Sequence, residues 1–92
     1  MDNLFIGDTG TQIILDCGIN ISSATILHIL CRKPDGSKVT WLGVLEGTNT
    51  IKYTVGTGDL DVAGVWKLQA YVDMPGWKGY GDVANLLVNR PL

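Results

Sequence analysis

A chain of 92 residues with a formal charge of −2 has room for one domain around one small core, and it lacks the basic stripe of a nucleic-acid binder. At 46% hydrophobic it is foldable rather than disordered, yet no apolar run approaches the roughly 20 residues of a membrane span. The opening Met1-Asp2-Asn3-Leu4-Phe5-Ile6-Gly7 has no basic n-region and no long h-region, so no signal peptide is expected and the chain is read as made in a cytoplasm.

Leu4–Ile6 reads as a short first strand, and Gly7-Asp8-Thr9-Gly10 as a turn. Thr11–Cys17 is a second strand, with Ile13, Leu15 and Cys17 inward and Gln12, Ile14 and Asp16 outward. Gly18–Ala24 is a polar connection with Ile19 and Ile21 tucked beneath it. Thr25–Lys33 is the third strand. Lys33-Pro34-Asp35-Gly36-Ser37-Lys38 carries Pro and Asp-Gly where a hairpin needs them, and Lys38–Leu45 is its partner strand. After the turn Glu46–Asn49, the residues Ile51, Tyr53 and Val55 alternate against Lys52 and Thr54 in a strand over Thr50–Val55.

Gly56–Gly64 reads as a corner. From Val65 to Asp73 the alternation is clear: Trp66, Leu68, Ala70 and Val72 share one face, and Lys67, Gln69, Tyr71 and Asp73 the other. Met74–Gly81 is a glycine-rich aromatic loop, Asp82–Asn89 the last strand, and Arg90-Pro91-Leu92 a frayed tail. This predicts an all-β, immunoglobulin-like antiparallel β-sandwich of about seven strands, one domain over residues 1–92. Asp, a small residue, Gly and an aromatic ahead of an alternating strand is the way such a fold enters its central strand.

The strings Arg32-Lys33-Pro34-Asp35-Gly36, Val39-Thr40-Trp41, Gly58–Tyr71 and Pro75-Gly76-Trp77, spread over roughly residues 5–88, together resemble small immunoglobulin-like proteins of tailed bacteriophages and prophages. These are accessory domains of baseplates, tails, fibres or capsid decorations. The resemblance implies a non-enzymatic structural part of a virion, whose partners are other virion proteins or copies of itself. It supplies no catalytic residue, cofactor or metal ligand.

The residues themselves argue against catalysis. Asp8-Thr9-Gly10 spells the aspartic-protease string, but only seven residues precede it and Ala84-Asn85-Leu86-Leu87-Val88 lacks the supporting glycine. It is also ordinary turn chemistry. His28 sits on an outward strand position, away from both cysteines by parity, so it has no nucleophile to activate. Asp59 and Asp61 are weighed as calcium ligands and read instead as caps on nearby backbone N–H groups. Cys17 and Cys31 fall on inward positions and read as buried thiols rather than an inter-sheet disulfide, since the partner position on the central strand holds Leu68.

The outward positions are more informative. In an immunoglobulin-like order, the strands over Thr25–Lys33, Lys38–Leu45, Val65–Asp73 and Asp82–Asn89 are neighbours in one sheet. Their outer face then collects Ile26, His28, Leu30, Leu42, Val44, Tyr71, Val83 and Leu87, beside Thr40, Lys67 and Gln69. An apolar patch of that extent marks an interaction surface. Trp77 and Tyr80 in the aromatic loop are a second candidate contact, and they carry the alternative reading: an adhesion module that touches a receptor or a host-surface glycan.

Overall fold

The computed structural model describes residues 4–92; Met1, Asp2 and Asn3, on which part of the leader reading rests, lie outside them. The described chain is all-β. Its strands are β1 (Leu4–Phe5), β2 (Gln12–Asp16), β3 (Ile26–Arg32), β4 (Lys38–Leu42), β5 (Val44–Glu46), β6 (Thr50–Thr54), β7 (Gly64–Met74) and β8 (Trp77–Asn89). They form a five-stranded sheet in the order β1-β8-β7-β3-β4 and a three-stranded sheet in the order β2-β6-β5. Inward side chains of both sheets build one core. Trp41 of β4 stacks on Tyr53 of β6 at 4.6 Å between ring centroids, and on Trp66 of β7 at 5.9 Å, so the aromatic layer runs from one sheet to the other.

Three details differ from the sequence expectation. The strand expected over Lys38–Leu45 is two strands in two sheets, which raises the count to eight. The break is Gly43. A Cβ there would collide with Cγ2 of the fully buried Ile51, so only glycine lets the chain cross between the sheets this close to the core. Gly43 N donates to Leu27 O at 2.9 Å, which holds the crossing to β3.

The second difference is that β1 runs parallel to β8, with Leu4 opposite Val88, so the larger sheet is mixed and not purely antiparallel. The third is that the expected aromatic loop is the end of a long hairpin. Met74 pairs with Trp77 across Pro75-Gly76, and pairing continues to Gly64–Val88. Strand period, more than loop composition, governs those residues.

The corner before β7 is tied down at several points. Trp66 is fully buried and its Nε1 donates to Val62 O at 2.8 Å. Asp59 Oδ2 accepts from Gly56 N at 2.7 Å and from the Tyr53 hydroxyl at 2.5 Å, a cap as expected. Asp61 does not cap backbone: its carboxylate takes Lys33 Nζ at 2.9 and 3.0 Å. That ammonium also lies 5.5 Å from the Trp66 ring centroid. At Gly64, with φ 129°, Pro34 Cγ sits 2.7 Å from where a Cβ would be, so a side chain is barred by space and by backbone alike. Ile21 is buried in the β2–β3 connection as expected, whereas Ile19 is exposed.

Candidate docking face

Strand register turns the outward side chains of the five-stranded sheet into rows that cross it. The first row is Leu42, His28, Tyr71 and Tyr80, contributed in turn by β4, β3, β7 and β8. The His28 and Tyr71 rings are 6.3 Å apart and the Tyr71 and Tyr80 rings 5.1 Å, both tilted, as edge-to-face neighbours are. The next row is Thr40, Leu30, Gln69 and Val83. The third is Lys38, Arg32, Lys67 and Asn85. Beyond the rows, Ile26 lies opposite Asp73 at one end and Leu87 opposite Val65 at the other.

Several of these side chains are far more open than packing would leave them. Leu42 is 71% exposed, Tyr80 61%, and Val83 and Leu87 55% each. Ile26, His28, Leu30 and Tyr71 are half-buried among their row neighbours. Eight of the ten positions expected to meet a partner thus fall on one face: Ile26, His28, Leu30, Leu42, Tyr71, Tyr80, Val83 and Leu87.

The other two do not. Val44 belongs to β5, opposite Lys52 in the smaller sheet, because the chain has already crossed at Gly43. Trp77 lies on the inward side of the hairpin, where its ring covers Gly79 with Cε2 2.9 Å from the position of a Cβ. It borders a cleft of about 390 Å³ beside Cys17 and Ile19. Register puts Trp77 on the Met74 side of the hairpin and the Tyr80 ring on the Tyr71 side, and both residues border that cleft.

Tyr80 reaches the outer face through a β-bulge. Gln69 pairs with Val83 and Tyr71 with Tyr80, so β8 carries one residue more than β7 over this stretch. Gln69 Nε2 donates to Gly81 O at 2.9 Å and pins the bulge. Strict alternation back from Val83 points Tyr80 inward; the extra residue turns it out.

Sequence reasoning missed Arg32 and Lys38 as members of this face. Their parity was legible, since each lies two residues from an assigned outward position. The row they make with Lys67 needed the register. With Leu30 and Val83 they border a shallow depression of about 360 Å³.

The remaining candidates for chemistry stay apart. Asp8 accepts a hydrogen bond from Phe5 N at 3.0 Å and its own N donates to Phe5 O at 3.1 Å, so it closes a turn over Phe5–Asp8, ahead of Thr9 and Gly10. Cys17 and Cys31 are both free thiols. Burial pushes the Cys31 thiol up to about 12, reinforced by the Asp59 charge and opposed by Lys33. Burial and then Asp16 raise Cys17 as well, so neither offers an appreciable thiolate at neutral pH. Among the described residues, no three His, Cys, Asp or Glu side chains converge as a metal site would require.

Comparison with protein-family models, with curated proteins and with solved structures finds no match to this chain.

Proposed function

We propose that this protein is an immunoglobulin-like, non-enzymatic structural component of a phage virion that works by docking the outer face of its five-stranded sheet onto other virion proteins. The observation that carries the docking role is the row Leu42–His28–Tyr71–Tyr80, an aromatic and apolar band across four strands with its two ends the most open. Burying such a band at about 25 cal/mol per Å² supplies several kcal/mol towards association before ordering costs are subtracted. Tyrosine is also the kind of residue that anchors interfaces.

Two features support the immunoglobulin-like part of the reading. The strand order β1-β8-β7-β3-β4 with β2-β6-β5 has the neighbours that such a fold requires. At the start of β7, Trp66 stands two residues before the inward Leu68 and bonds back to Val62 O, as the corner tyrosine of that fold bonds to backbone upstream. The virion assignment rests on the resemblance carried by the Arg32–Gly36 hairpin and the Gly58–Tyr71 corner and strand. The alternative, a glycan-contacting module, has less support, since the Tyr80 ring lies on the Tyr71 side of the hairpin and Trp77 on the Met74 side.

The test is incorporation into particles by wild type and by Leu30→Lys and Tyr80→Asp, alongside light scattering of the purified domain over a concentration series. Loss of incorporation in both variants at unchanged thermal stability supports the reading, and light scattering shows whether the face instead meets a second copy. Full incorporation of both variants refutes it.

A further inference from the structure

The third row of the face is unusual on physical grounds. Arg32 stands directly opposite Lys38 on one side and Lys67 on the other. Like charges in directly opposed positions destabilise a sheet. The chain has seven lysines and arginines. Lys33, Lys52 and Lys78 pair with Asp61, Glu46 and Asp73. Of the four that pair with no acid among the described residues, three form this row; Lys67 Nζ meets only the neutral Asn85, at 3.3 Å. The chain's formal charge is −2, so with the row's three positive charges set aside the rest of the molecule carries −5. Three of the four cations without an acidic partner are therefore gathered on one face of an otherwise acidic protein.

From this placement we infer that the partner presents an acidic, partly apolar protein segment to this face. Its carboxylates lie over Arg32, Lys38 and Lys67, and its apolar side chains fill the depression beside Leu30 and Val83. The inference rests on the docking role proposed above and names the chemistry of the partner. Arginine takes a carboxylate through two parallel N–H donors, and flanking lysines add charge without demanding geometry. A nucleic acid fits poorly: the −5 carried elsewhere repels a long polyanion, and Leu30 and Val83 offer its backbone nothing. A second copy stacked face to face about an axis along the strands fits poorly as well, because it sets row on row, cation against cation.

The experiment uses the full chain, labelled with 15N, and a dodecapeptide of alternating glutamate and valine as the probe. The controls are the lysine–valine counterpart and a thymidine dodecamer, each at about 50 mM and about 500 mM salt. The expected result is a salt-sensitive perturbation of the amides around Arg32, Lys38 and Lys67 by the glutamate peptide alone. Lys38→Glu/Lys67→Glu is expected to bind it about tenfold more weakly or worse, with a melting temperature no lower than wild type, since both replacements set an opposite charge beside Arg32.

Three results overturn the inference: no perturbation along the row, equal binding by the charge-reversed variant, or tighter binding of the thymidine dodecamer at the same residues. Its failure is separable from failure of the docking role. If the peptide does not bind while Tyr80→Asp still abolishes incorporation into particles, the face docks and its partner is not acidic. If Tyr80→Asp incorporates normally, the docking role itself is lost.

Discussion

Adding one methyl group at Gly43 tests the sheet crossing, the feature that gives the larger sheet its free edge at β4. In Gly43→Ala the new Cβ meets Cγ2 of Ile51, with Leu27 O and Lys52 O also at 3.5 and 3.6 Å. Ile51 is fully buried, so its methyl group cannot swing into solvent. Overpacking of this kind costs about 1–3 kcal/mol, reduced by the few tenths or so gained from stiffening the unfolded chain. The net expectation is about 1–2 kcal/mol, or a melting temperature lower by roughly 4–16 °C in a domain of this size. The clash involves the β-branch methyl in particular. Ile51→Leu removes that methyl at nearly constant volume, while Ile51→Val keeps it. Urea denaturation followed by tryptophan fluorescence should therefore show Gly43→Ala costing much less in the Ile51→Leu background than in wild type or Ile51→Val. Equal cost in all three backgrounds would falsify the assignment of strain to that contact. A stabilised Gly43→Ala single variant would refute the crossing geometry altogether.

Trp66→Phe removes the donor to Val62 O and leaves part of the indole volume empty, so a loss of about 2 kcal/mol is expected in urea melts followed by circular dichroism. Asp61→Asn breaks the ion pair with Lys33, whose side chains are 18% and 47% exposed for Lys33 and Asp61; the cost should be about 0.5 kcal/mol and should shrink in about 1 M salt. Alkaline stability follows from two groups that the fold keeps neutral. Cys31 is raised from 9.0 to about 12 by burial first, and Tyr53 from 10.0 to about 12 by burial and then by its hydrogen bond to Asp59. Because both folded values lie above the unfolded ones and both groups are acids, their stabilising contribution is complete below about pH 9 and is lost as pH rises through about 12. Tyr53→Phe should flatten the upper part of that decline in melting temperature, and a decline identical to wild type would refute the assignment.

The fold was legible wherever side-chain parity alone decides burial. Trp66, Leu68, Ala70 and Val72 alternate without interruption and are all buried. Ile13, Ile29, Trp41 and Leu86 likewise fall where period two puts them. Parity fails where the backbone breaks step. Gly43 moves Val44 to the other sheet, yet nothing in Trp41-Leu42-Gly43-Val44 separates a crossing from a glycine within a strand. The bulge at Gly81 reverses Tyr80, and its signal is a glycine in a stretch already rich in glycine. Met74–Gly81 reads from sequence as one loop, because the continuation of pairing into Trp77–Gly81 depends on β7 lying alongside, a non-local contact. The cation row was half legible: three outward basic residues could be read by parity, but their mutual opposition exists only once β4, β3 and β7 are in register.

The two outer faces of this molecule allow an internal comparison. On the three-stranded sheet, the central cation Lys52 sits between Ile14 and Val44 and is neutralised by Glu46 at 2.9 Å. The same chain leaves Arg32, Lys38 and Lys67 in opposition on the five-stranded sheet and places an open tyrosine and leucine at either end of the next row but one. Neither feature helps the fold. The core is complete without them, and the opposed charges work against pairing. Exposed apolar side chains occur on both outer faces, Ile14 and Val44 among them, but the opposed cations fall on one only, and the acidic partner inferred above would supply the missing negative charge there while covering the rings.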